Sequence, residues 1–171
     1  INTAGLLQAQ AQSTGEETTA QVSDRIAIGE AVGYDTSSSG GTDAGKIDTI
    51  NVSMRLAAGA DPINLSQASY TIDTDGSARV VSGVNSSDPL TFHQIQGLNE
   101  KPLILADQND LMVVEFNLND TTTSSNGIDG IDAIEDGDDI TIIVQAPAGG
   151  STYATLKAPR RINEGASYIL S

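Results

Sequence analysis

Between Lys46 and Leu170 apolar residues recur at alternate positions in short runs, and turn signals close most of the runs. This pattern constrains the chain more than any other feature. A period of two places successive side chains on opposite faces of a strand, whereas a helix needs a period near 3.6. The clearest run lies within Lys46–Ala58: Ile50, Val52, Met54 and Leu56 share one face, and Asn51, Ser53 and Arg55 the other. That is a half-buried strand. Asp61-Pro62 marks a turn, because proline lacks an amide donor and restricts the residue before it. Ile63–Asp73 holds two short strand candidates, with Tyr70 and Ile72 on one face, and Asp75-Gly76 turns the chain into a returning strand at Ala78–Val81. Leu90–Gln96 alternates less cleanly, and Leu103–Leu105 is a short apolar run. Leu111–Leu118 and Ile140–Val144 are the most apolar stretches, rich in β-branched residues at strand length, and are expected to be central strands. Thr152–Leu156 and Tyr168–Leu170 follow. The expected architecture is all-β, an antiparallel sandwich or barrel of about eight or nine strands.

The first 33 residues behave differently. Ile1, Ala4, Leu7 and Ala11 fall three and four apart, one stripe of a helix, among the glutamines Gln8, Gln10 and Gln12. Gly15 interrupts, a polar stretch follows, and after Asp24 the pattern changes to alternation through Ile26, Ile28 and Val32. A short helix is therefore expected to feed into the first strand.

Four pieces of this stretch, Ile1–Gly5, Leu7-Gln8, Thr14–Thr18 and Gln21-Val22-Ser23, together resemble the archaellins, the archaeal flagellin subunits. The likeness is dense through Ile1–Gly33 and weak beyond. It implies an immunoglobulin-like β-sandwich over residues 23–171, forming the outer part of a filament subunit. It also implies that residues 1–22 are the C-terminal end of a filament-core helix. Archaellins, like type IV pilins, begin with a strongly apolar helix; this sequence starts at Ile1 without one, and a truncated or processed subunit is expected. The implied function is structural: a non-enzymatic subunit of an extracellular motility filament, assembling with copies of itself through the missing helix and with other archaellins. Two other readings fit the same pattern. One is an adhesion pilin using the long loops Tyr34–Gly45 and Asn119–Asp139. The other is a carbohydrate-binding β-sandwich, for which a chain without Trp and with 4% aromatics offers little.

Charge narrows the partners. The chain has 23 acidic and 8 basic residues among 171, a formal charge of -15, so phosphate backbones and anionic membrane surfaces would be repelled and cations attracted. The absence of cysteine excludes thiolate chemistry and disulfides.

Catalytic signals are weak. His93 is the only histidine, it sits on a strand pattern, and no nucleophile elbow is present. Hard cations want six to eight oxygens, and two loops are rich in them. In the first, Asp107, Gln108, Asn109 and Asp110 precede a central strand, and calcium is expected through Asp107, Asn109 and Asp110. The second is Asp129–Asp139, with Asp132, Glu135, Asp136 and Asp138 between its ends. Neither has EF-hand spacing, and Asp and Asn favour solvated turns on their own account. Four sequons, at Asn51, Asn64, Asn85 and Asn119, are candidate glycan acceptors.

Overall fold

A computed structural model of the chain describes residues 25–37, 40, 41, 43–83, 89–98, 103–118 and 127–171. The expected helix over residues 1–22, and the domain boundary after it, lie outside the described residues.

Strand formation follows the alternation. Among the described residues the strands are β1 (Ile26–Tyr34), β2 (Thr49–Leu56), β3 (Ile63–Asn64), β4 (Ser69–Thr74), β5 (Ser77–Ser82), β6 (Leu90–Gln96), β7 (Ile104–Leu105), β8 (Leu111–Asn117), β9 (Asp139–Gln145), β10 (Ser151–Lys157) and β11 (Ser167–Leu170). The count exceeds the expected one largely because β3 and β7 are two-residue pieces that pair only with each other. The run expected over Lys46–Ala58 is shorter as a strand, since Ile47 makes an isolated bridge to Ile134 before β2 begins. Ile63–Asp73 is split by a single 3-10 turn, Leu65–Gln67, capped by Asn64, whose side chain accepts from Ser66 N at 3.0 Å.

The strands form a sandwich rather than a closed barrel. One sheet has the order β11-β1-β2-β8-β6 and the other β10-β9-β4-β5, with every pairing antiparallel. Both expected central strands are internal: β8 lies between β2 and β6, β9 between β10 and β4. Inward-facing Ile50, Val52, Met112, Val114 and Phe116 of the first sheet join Tyr70, Ile72, Ile140, Ile142 and Val144 of the second in one continuous core. With no Trp and few aromatics, aliphatic side chains supply most of that volume. The exception is a three-ring cluster: Tyr70 packs at 5.9 Å edge-on to Phe116 and at 6.1 Å tilted to Phe92. Tyr70 is fully buried, and its hydroxyl donates to Leu65 O at 2.8 Å, which satisfies the polar end of the ring.

Candidate functional site

With one face of each sheet in the core, function is left to the outer faces and the connecting loops. The outer face of the five-stranded sheet follows from register. Val32, Asn51 and Glu115 form one row across β1, β2 and β8, and Ser53, Val113 and His93 form the next across β2, β8 and β6. β1 carries a bulge between Ile28 and Ala31, and β6 another between Gln94 and Gln96. Bulges add local twist and bend the strand that carries them. Between these strands lies a groove of about 630 Å³ whose lining includes Val32, Tyr34, Leu111 and Val113 beside charged Glu30, Arg55 and Glu115. His93 Nε2 lies 3.0 Å from Glu115 Oε2, a part-exposed pair on the groove surface. On the floor, Asn51 Oδ1 is buried with no hydrogen-bond partner.

The outer face of the four-stranded sheet is built from the same arithmetic. Tyr153, Ile143, Thr71 and Val80 are register partners in sequence across β10, β9, β4 and β5, a single transverse row. Tyr153 is 75% and Val80 69% exposed. The only other large apolar side chains so exposed among the described residues are Ile95 (58%) and Ile169 (68%), both on the five-stranded sheet.

In the first acidic loop the three expected calcium ligands differ in exposure. Asp107 and Asn109 are exposed, but Asp110 is buried at 6% exposure. Its Oδ2 accepts from Ala106 N at 2.8 Å and from Asp107 N at 2.9 Å, closing the turn onto itself. The other carboxylate oxygen lies against Gly97: a Cβ there would fall 2.0 Å from Oδ1. Gly97 (φ 74°) and Leu98 (φ 66°) both take left-handed backbone, which is strained for leucine. Asp110 thus closes its own turn, with backbone amides already on its Oδ2, and packs against Gly97.

The acidic residues of the second loop disperse to separate tasks. Asp136 accepts from Ile162 N at 2.7 Å, Asp138 from Glu135 N at 2.9 Å, and Asp139 pairs with Lys157 at 2.8 Å. Glu135 pairs with Lys46 at 3.0 Å, and that hydrogen bond holds the ammonium above its usual pKa. Asp132, Glu135 and Asp138 line a cleft of about 320 Å³ with Asp43, Lys46 and Asp75. Among the described residues no three Asp, Glu or His side chains are grouped to hold a metal ion.

Sequence reasoning passed over two buried carboxylates. Asp48 accepts from both the amide and the hydroxyl of Thr36, at 3.0 and 2.9 Å to Oδ2. Asp35 accepts from Gly45 N at 2.7 Å, from Gly165 N at 3.2 Å, and from the amide and hydroxyl of Ser37. Burial works to raise the Asp35 pKa, but these hydrogen bonds outweigh it and hold the carboxyl below its ordinary value. Both lie at the ends of alternating runs, where an Asp reads as a turn residue; only the fold brings their distant donors together. Of the sequons, Asn51 is on the groove floor and Asn64 caps the 3-10 turn, while Asn85 and Asn119 lie outside the described residues.

Comparison with known proteins places this geometry. The family model described as archaeal-type flagellin matches residues 1–171. Flagellin B1 of Natrialba magadii is 34% identical over 161 residues, covering 93% of this chain and 77% of that protein. Flagellin B2 of Halobacterium salinarum is 32% identical over 167 residues, covering 96% and 79%. Among solved structures, the crystal structure of an archaeal flagellin from Methanocaldococcus jannaschii superposes with a TM-score of 0.66 at 15% identity, over 86% of this chain and 96% of that one. The archaeal flagellum of Methanospirillum hungatei gives 0.62 at 15% identity, over 98% and 84%. At that identity the structural likeness speaks for the fold, and the sequence relatives speak for the family.

Proposed function

The chain belongs to the archaeal-type flagellin family, and from that premise we propose that its β-sandwich is the outer, surface-forming part of a filament subunit. The chain is a structural subunit of the archaellum, the extracellular motility filament of archaea. Its work is mechanical, and it performs no catalysis. The His93–Glu115 pair serves the outer sheet surface rather than a reaction. In this reading residues 1–22 are the C-terminal end of a filament-core helix, and copies of the chain, with other archaellins, are its partners. The match of the family model to the whole chain is the observation that carries this reading. The sandwich supports it by keeping a rigid core between two sheet faces that stay open to contact.

The test is immunogold labelling of cells with an antibody raised against this chain, scored together with swimming of a strain lacking it. The expected result is label along the whole archaellum and loss of swimming on deletion. Label confined to a separate, non-motile appendage would favour an adhesion pilus, and unlabelled archaella would overturn the assignment. Glycan attachment at Asn51, Asn64, Asn85 or Asn119 is proposed on the sequons alone; mass spectrometry of peptides from purified filaments checks each, and unmodified peptides would remove it.

A further inference from the structure

The two outer faces differ in shape and match in chemistry. One presents a groove, and the other a transverse row in which exposed Tyr153 and Val80 flank half-buried Ile143 and Thr71. The row Tyr153–Ile143–Thr71–Val80 crosses four strands, three inter-strand spacings or about 14 Å. The groove runs from β1 through β2 and β8 to β6, again four strands and about 14 Å.

Charge decides what can approach them. The chain carries -15, so most of its surface repels a second copy. These two faces carry little of that charge. The groove holds two carboxylates and one guanidinium (Glu30, Glu115 and Arg55), a net of -1 with His93 neutral. On the opposite face the charged outward residues are Asp73, Asp139 and Lys157, also a net of -1. Together they account for -2 of the total. The four most exposed large apolar side chains among the described residues lie on the same two faces.

Resting on the filament reading above, we propose that the Tyr153–Val80 row of one copy seats in the β1–β2–β8–β6 groove of the next. The contact is heterologous: the groove of the first copy is filled and its own row is left free for a third. Such a contact repeats without closing unless the rotation between copies happens to complete a ring, and an open repeat is a filament. Apolar groove residues Val32, Leu111 and Val113 receive the row. A glycan on Asn51 would occupy the same space, so the contact and modification of Asn51 exclude each other.

The absence of cysteine makes the arrangement directly testable by cross-linking. In filaments assembled by the full chain in its own cell, the double variant Tyr153→Cys/Val113→Cys should, after mild oxidation, give a ladder of covalent multimers on a non-reducing gel. Neither single variant should cross-link. Filaments of the double variant that yield only monomer would overturn the proposal, as would dimers from either single variant, which require like faces to meet. If the parent chain is found in no filament at all, the filament reading itself fails, a separate outcome. Tyr153→Glu supplies an independent arm. Tyr153 is an exposed position, so the isolated variant should melt with the parent while filaments are lost; intact filaments from Tyr153→Glu would refute the contact.

Discussion

At the scale of single residues, one buried carboxylate, Asp35, links this fold to acid. Asp35 gathers donors from its own loop and from Gly165, 130 positions away. Its folded-state pKa lies below the unfolded value of about 3.9. The sign follows by linkage: the stabilisation is fully present above the unfolded pKa and is lost as pH falls through the folded one. Asp35→Asn should therefore lower stability at neutral pH by about 1–3 kcal/mol, the cost of disturbing a buried charge-assisted network. It should also flatten the acid limb below about pH 4. Urea unfolding of parent and variant in steps from pH 7 to pH 2 measures both, and parallel acid limbs would mean that Asp35 does not carry the dependence. Asp110 sets two expectations against each other. If Asp110 only closes its own turn, Asp110→Ala should cost about 1–3 kcal/mol equally in calcium and in chelator, because two amides lose their acceptor. As a cation ligand with Asp107 and Asn109, it would instead make the parent's melting temperature rise with calcium, and Asp107→Ala/Asp110→Ala would abolish the rise. Thermal unfolding of all three chains, with calcium and with chelator, distinguishes the two.

Elements differ in how firmly the sandwich holds them. β2, β8 and β9 have a hydrogen-bonded neighbour on each side, whereas β5, β6, β10 and β11 are sheet edges. β8 alternates buried and half-buried positions along its length, and its inward Met112, Val114 and Phe116 are fully enclosed. Truncating Phe116→Ala removes the ring against which Tyr70 packs edge-on, and should cost about 3–5 kcal/mol. Tyr70→Phe is a milder probe of the same site: it leaves the rings stacked but strips Leu65 O of its donor, for about 0.5–1.5 kcal/mol. Denaturant midpoints rank the two variants, and equal losses would mean that the hydroxyl, not the ring cluster, dominates. Native-state amide exchange should be slowest in β2, β8 and β9 and fastest in β5, whose pattern leaves most of its side chains exposed. Protection in β5 matching that in β8 would contradict this ranking.

For the whole molecule, charge and sandwich geometry act together. A net charge of -15 on a chain with 8 basic residues gives self-repulsion that salt screens. The melting temperature should therefore rise as sodium chloride increases from low ionic strength, with most of the gain complete once the Debye length falls to about 3 Å near 1 M. A calorimetric series in salt checks this, and a melting temperature independent of salt would show that the acidic groups are already compensated locally. The same charge explains why assembly surfaces must be sought where carboxylates are sparse, on the two outer sheet faces rather than around the cleft of Asp43, Asp75, Asp132 and Glu135.

The sequence by itself determined the strands. Alternation is a local property: Ile50, Val52, Met54 and Leu56 fall on one face whatever they pack against, and the structure buries all four. The Asp75-Gly76 turn, with Gly76 at φ 95°, and the internal positions of Leu111–Leu118 and Ile140–Val144 were legible for the same reason. So was the family, through short motifs that need no fold to be read. Only the tertiary structure decided which strands are neighbours, because β2 pairs with β8 across more than fifty intervening positions and no local signal encodes that pairing. It also decided what the acidic residues do. Asp107 and Asp110 are three apart in sequence and share one composition, yet one faces solvent and the other turns inward to hold backbone amides. The groove and the Tyr153–Val80 row are likewise products of register, made by side chains that lie far apart in the chain and come together when strands align.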